Sequence, residues 1–147
     1  MSDSPKEIIK KRYTNLQETI EYLVGKNRLL EALLILYSEI DSSLNNVIYD
    51  RKKGEPNVID INRFDEIIDL KTSVKIRLVY ALNCIDEQVY YDLENIRKLR
   101  NRFSHELRVK LDFEDDLSGA DEETNKFFEE VKEILKKGVN LIKKLDE

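Results

Sequence analysis

Apolar residues recur at spacings of three and four along most of this chain, and almost nothing interrupts them: 147 residues include only 4 Gly and 2 Pro. That period places side chains on one face of an α-helix, whereas a half-buried strand would need strict alternation. The charged share of 37% beside 41% hydrophobic residues then predicts helices with an apolar stripe and a salt-laced outer face. The expected fold is all-α, a single-domain bundle of five or six helices over residues 1–147.

The first helix has a complete start signal. Ser4 can cap it, Pro5 suits the first helical position, and Glu7 completes an S-x-x-E capping box. Ile9, Tyr13, Leu16, Ile20 and Leu23 follow on one face, and Gly25 is the expected stop. The second helix carries Leu29, Leu30, Leu33, Leu34, Leu36, Tyr37, Ile40, Leu44, Val47 and Ile48. An apolar arc that broad belongs to the central helix of a bundle. Lys52-Lys53-Gly54-Glu55-Pro56-Asn57 reads as loop. Ile61, Phe64, Ile67, Ile68 and Leu70 predict a short helix with Asp60 as its candidate cap. Thr72 or Ser73 is the candidate cap of the next, which carries Val74, Ile76, Leu78, Val79, Ala81 and Leu82. Asp86 is expected to cap a long helix from about Glu87 to about Leu107. Residues 109–113 alternate like a strand but would have no partner, so extended loop is expected there. Asp121 is the candidate cap of a last amphipathic helix through Phe127, Phe128, Val131, Ile134, Leu135, Val139, Leu141, Ile142 and Leu145.

The one cysteine, Cys84, has no disulfide partner and lies beside the apolar run Leu78-Val79-Tyr80-Ala81-Leu82, which predicts a buried structural thiol. The N-terminal residues carry no apolar signal core, and no stretch reaches the roughly 18 apolar residues that span a bilayer. The expectation is a cytoplasmic protein with no membrane partner. A net charge of -5 argues against wholesale electrostatic binding of nucleic acid. The charge is uneven, however. Between residues 97 and 110 the bases Arg97, Lys98, Arg100, Arg102, Arg108 and Lys110 face one acid, Glu106, whereas residues 112–123 hold seven acids and no base. Two readings stand: ordinary solvated helix faces, or a local positive patch in an acidic protein.

Any imidazole chemistry must use His105, the only histidine. There is no paired-histidine metal motif, nucleophile elbow, phosphate-binding glycine loop or dinucleotide fingerprint, and Glu114-Asp115-Asp116 lacks calcium-loop spacing. No metal and no organic cofactor is expected. On an ideal helix with Leu99 at 0°, Phe103, Ile96, Leu107 and Leu93 fall between about 40° and 120°, the core-facing arc. Arg100 falls inside that arc, an expensive place for a guanidinium without a partner. Asn101 and His105, four apart, are neighbours on another face, roughly 140° from Arg100 in the case of His105. One site containing both Arg100 and His105 therefore requires a deformed helix or a second subunit. Alternatively, Arg100 snorkels at the core edge and His105 is an ordinary helix residue.

Arg100-Asn101-x-x-x-His105 resembles the R-x4-6-H motif of the HEPN superfamily. The closer likeness is to its mannitol-repressor-like branch, in which a K-I-x-L-A-Y-A-L-type helix precedes a D-L-x-x-I-R-x-I-R-N-x-F-A-H segment. Here the first is Lys75-Ile76-Arg77-Leu78-Val79-Tyr80-Ala81-Leu82, and the second runs Asp92-Leu93-Glu94-Asn95-Ile96-Arg97-Lys98-Leu99-Arg100-Asn101-Arg102-Phe103-Ser104-His105. The likeness is good over about residues 70–107, loose over the second helix, and does not place the first or last. Ser104 stands where Ala is usual, and Asn83-Cys84 replaces a more typical Gly-Leu. The superfamily implies a metal-independent endoribonuclease or RNA-binding domain, active as a homodimer that joins two motifs. His105 would act as general base or acid, Arg100 would stabilise charge on the scissile phosphate, and Asn101 would orient its neighbours. Arg97, Lys98, Arg102, Arg108 and Lys110 would hold RNA backbone, and Tyr90 or Tyr91 offers a ring for a base. The mannitol-repressor-like branch implies something else: a non-catalytic transcriptional regulatory module acting through protein partners. Nothing here reads as a helix-turn-helix, and a toxin role would imply an antitoxin partner.

Overall fold

A computed structural model of the chain describes residues 4–61, 63–103 and 122–146. Among them it contains six helices and no strand: α1 (Pro5–Gly25), α2 (Leu29–Gly54), α3 (Phe64–Ile68), α4 (Thr72–Ala81), α5 (Glu87–Arg102) and α6 (Glu122–Asp146). The fold is an all-α bundle. No helix among the described residues is long and apolar enough to cross a membrane.

Local signals set several boundaries. Ser4 Oγ accepts the Glu7 N–H while the Glu7 carboxylate accepts the Ser4 N–H, closing the capping box. Asp86 Oδ1 accepts the Val89 N–H at 2.8 Å and starts α5. Gly25 is the last residue of α1, but the left-handed residue beyond it is Asn27, at φ 57°. The amides of Lys26, Asn27 and Arg28 turn back onto the carbonyls of Tyr22, Leu23 and Val24. α4 ends the same way, with Asn83 at φ 58° and the Cys84 N–H on the Val79 carbonyl. Asparagine tolerates this conformation better than other residues bearing a Cβ.

Three expected boundaries differ. α2 runs on through Lys52, Lys53 and Gly54, where the loop composition suggested an earlier end. Cations there meet the negative end of the helix dipole, and Lys52 Nζ reaches the carbonyls of Pro56 and Ile59. α3 is capped by Arg63 without a side-chain bond, so Asp60 caps nothing. α4 begins at Thr72 behind Lys71, so neither Thr72 nor Ser73 is its cap. The Thr72 hydroxyl is committed across the bundle, donating to Asp41 at 2.7 Å. The expected cap Asp121 and the loop at 109–113 lie outside the described residues, as does the end of the long helix beyond Phe103.

α2 is the centre of the bundle and packs on each of the other five helices. Leu29, Ala32, Leu33, Leu36, Ile40, Leu44 and Ile48 are all buried along it. α6 comes close to it at Gly138, where a Cβ would lie 2.3 Å from Leu36 Cδ2. Ser43, buried on α2, donates to Asp146 at the end of α6. Arg12 of α1 donates through Nε and an Nη to Glu39 of α2, so polar contacts at the rim align three helices.

The fourth side of α2 holds a charge. Lys75 of α4 is buried, with 1% of its side chain exposed, and its ammonium donates to both Asp41 oxygens (3.0 and 2.9 Å) and to the Ile68 carbonyl (3.1 Å). Three donors find three acceptors, which is what makes an ammonium tolerable there.

Two stability predictions follow from these contacts. Asp41→Asn should lower urea-unfolding stability by about 3–5 kcal/mol, because it leaves a buried ammonium without its counter-charge. Lys75→Met should cost less, since Asp41 is 29% exposed and water can solvate its carboxylate. An equal or reversed order would refute this account. Gly138→Ala should destabilise by about 1–2 kcal/mol despite the better helix propensity of alanine, because the fully buried Leu36 would have to shift within the packed core. In a Leu36→Ala background the same substitution should become neutral or stabilising.

Candidate functional site

α5 carries every predicted site residue that falls among the described ones: Arg97, Lys98, Arg100, Asn101 and Arg102. His105, Arg108 and Lys110 lie outside them. Leu93, Ile96, Leu99 and Phe103 are buried, so the apolar arc faces the core as the spacing predicts. Helical geometry holds across Arg100 and Asn101, and the Phe103 N–H reaches the carbonyls of Leu99 and Arg100.

Arg100 sits at the edge of that arc, half-buried. Its guanidinium carbon lies 5.3 Å from the centre of the Tyr37 ring of α2, a cation–π arrangement. Its Nε is buried without a hydrogen-bond partner, and one Nη makes a long 3.5 Å contact to Asn101 Oδ1. No carboxylate among the described residues pairs with it. Asn101 itself is exposed. Arg100 is thus positioned by an aromatic face, and no carboxylate of the described residues neutralises its charge.

The neighbouring cations are arranged differently. Arg97 donates through Nε and an Nη to Glu94 Oε2 at 3.1 and 2.6 Å. This hydrogen bond raises the Arg97 pKa above an already high value, and the Glu94 carboxylate is itself buried, with Oε1 unpartnered. Arg102 leans the other way, over the Phe127 ring at 4.3 Å and 3.9 Å from Glu130 of α6. Lys98 shares that side. Together with Lys137 these two line a groove of about 430 Å³ between α5 and α6, whose acids are Asp92, Glu130 and Glu133 and whose floor includes Ile96 and Leu99. The cations that cluster in sequence therefore split between two faces. Arg97 and Arg100 lie toward Tyr37 of α2; Lys98 and Arg102 lie over a groove of mixed sign. At 100° per residue, neighbours in sequence cannot share a face.

Tyr37 and Glu94 are the partners that sequence reasoning missed. The i,i+3 spacing of Glu94 and Arg97 was legible on a helix, whereas Tyr37 comes from another helix and leaves no local mark. The two tyrosines differ in their surroundings. Tyr90 is already covered by Tyr80 of α4, with ring centres 4.4 Å apart, and is not itself a free platform. Tyr91 is 53% exposed.

Cys84 is half-buried; burial raises its thiol pKa, partly opposed by the nearby Arg51. No three His, Cys, Asp or Glu side chains among the described residues gather where they could hold a metal ion. Comparison with protein-family models, curated proteins and solved structures finds no match for this chain.

The thiol shift has a direct check. A raised pKa in the folded state means fewer thiolates than in the unfolded chain at the same pH. Iodoacetamide at pH 8 should therefore alkylate Cys84 more slowly in the native protein than in urea. Any stability that this group contributes is complete below the unfolded-state pKa and is lost as pH rises toward the folded one. Equal alkylation rates would show that the thiol is not protected.

Proposed function

We propose that this chain is a HEPN-like, RNA-binding and metal-independent endoribonuclease domain that acts in the cytoplasm as a homodimer. The observation that carries this reading is Arg100: half-buried, seated on the Tyr37 ring, and with no carboxylate among the described residues to neutralise it. A fixed, unpaired guanidinium is suited to stabilise charge developing on a phosphodiester. Its partner in the motif, His105, would remove the proton from a ribose 2′-hydroxyl. The 2′-oxygen then attacks phosphorus, and the 5′-oxygen leaves with a proton from a general acid, giving a 2′,3′-cyclic phosphate and a 5′-hydroxyl. The resemblance implies the dimeric form of the reading, in which a second copy supplies the complementary motif.

The turn after α4 gives further support to the resemblance. Asn83 stands where the mannitol-repressor-like branch has Gly, and its φ of 58° is the conformation in which Gly and Asn substitute for one another. The departure from the pattern is thus conservative in backbone terms. Lys75, the motif lysine, is buried on Asp41 and has a structural role.

A second reading rests on the groove between α5 and α6. Lys98, Arg102 and Lys137 alternate there with Asp92, Glu130 and Glu133, a mixture suited to a polypeptide partner more than to a uniformly negative backbone. On that reading the chain is a non-catalytic, mannitol-repressor-like regulatory module whose partner is a regulatory protein or an antitoxin.

Cleavage of mixed single-stranded RNA in EDTA separates the two. Wild-type protein should cut and leave cyclic-phosphate ends, while Arg100→Ala and His105→Ala should each lose at least about 100-fold in rate. No cutting by the wild type, or equal cutting by all three, would remove the nuclease and leave the regulatory module.

A further inference from the structure

We infer that Tyr80, Tyr90 and Tyr91 form a base-stacking subsite for single-stranded RNA at the corner between α4 and α5. The inference rests on the RNA reading above and extends it to a second contact, away from the motif. The corner is built by the tight turn at Asn83, which brings the last turn of α4 against the first turn of α5. Tyr80 from the one helix stacks on Tyr90 from the other, with ring centres 4.4 Å apart and planes 26° from parallel. Tyr91 joins at 5.6 Å and 58° from Tyr90. The middle ring is covered, but Tyr80 is 38% and Tyr91 53% exposed. Tyr22 and Phe64, the other exposed aromatic side chains among the described residues, are placed differently: Tyr22 lies beneath Lys26 at the end of α1 and Phe64 packs edge-on against Tyr49. Among the described residues, only at this corner do three rings support one another and leave two exposed.

Direction along α5 connects the ledge to the motif. Tyr90 and Arg100 are ten residues apart on one helix, a rise of about 15 Å, which a few nucleotides of extended strand can span. Between them lies Arg97, held by Glu94, and beside Arg100 lies Tyr37, so the path from the Tyr80–Tyr90 stack leads to Arg100. Tyr91, about 180° round α5 from Arg100, borders the ledge on its far side. A stacking platform within reach of a cation is a pattern by which single strands are held. The acids on α5 limit what can bind at the ledge. Glu94 neutralises Arg97; Asp92 adjoins Tyr91 in sequence and Glu87 lies one helical turn before it. Phosphates are therefore disfavoured beside the tyrosines, and an uncharged base face is favoured. The ledge takes a base and Arg100 takes the phosphate. Because every base presents a π-face, the contact tolerates any sequence.

Binding of a fluorescent, short 2′-O-methyl RNA, which has no free 2′-hydroxyl to attack, tests the subsite apart from cleavage. Tyr91→Ala and Tyr80→Leu should weaken binding by about 5- to 150-fold. Tyr91→Phe, which keeps the ring, and Tyr22→Ala, which removes an exposed ring elsewhere, should bind like the wild type. Circular dichroism and the melting temperature of Tyr91→Ala should match the wild type, since that ring is mostly in solvent. Wild-type affinity in Tyr91→Ala and Tyr80→Leu, with binding still lost in Arg100→Ala, would overturn the subsite and leave the RNA reading intact. Failure of the wild-type protein to bind the RNA at all would overturn both.

Discussion

A lysine ammonium survives inside a helical bundle only when its charge and all three donors are met, and Lys75 achieves this with two side-chain oxygens and one carbonyl. Asp41 belongs to α2, Ile68 ends α3, and Lys75 itself lies on α4. One group thereby ties three helices together at a point where apolar packing alone would allow them to slide. The Thr72 hydroxyl adds a third bond to the same carboxylate, which explains why Thr72 is not free to cap its own helix. The position of α4 then determines where Tyr80 meets Tyr90, and hence the geometry of the α4–α5 corner.

α5 shows how a helix distributes chemistry that looks concentrated on paper. Its cations are close in sequence, yet the helical turn directs Arg97 and Arg100 toward the interior side and Lys98 and Arg102 toward α6. Partners then differentiate them further. Arg97 is paired with Glu94, Arg102 meets Glu130 and the Phe127 ring, and Arg100 alone of the three lacks a described carboxylate. An aromatic face holds a guanidinium in place while leaving its charge available, whereas a carboxylate holds it and cancels the charge. This difference sets Arg100 apart from its neighbours.

Both asparagines in the left-handed region, Asn27 and Asn83, sit just past helix ends and let the following amides return to open carbonyls. These turns are short, so α1 and α2, and likewise α4 and α5, are held as close neighbours. In the second pair, the turn brings the tyrosine ledge together. The glycine at 25 looked like the obvious stop, but the chain uses the asparagine two residues later. Either residue can end a helix, and only the backbone dihedrals distinguish them.

What this sequence determined by itself are the features whose cause lies within a turn or two of chain. The caps at Ser4 and Asp86, the buried stripe of α2 and the core-facing arc Leu93, Ile96, Leu99 and Phe103 all arise from local spacing and neighbouring side chains. The position of Arg100 at the edge of that arc was legible for the same reason. The partners that give these residues their character were not. Asp41 reaches Lys75 from 34 residues away, the Tyr37 ring comes to Arg100 from another helix, and Glu130 meets Arg102 across a separate groove. Spacing predicts which way a side chain faces, but not what waits there, because the occupant is set by how the helices pack. Only the tertiary structure decided which of these cations meet a carboxylate among the described residues.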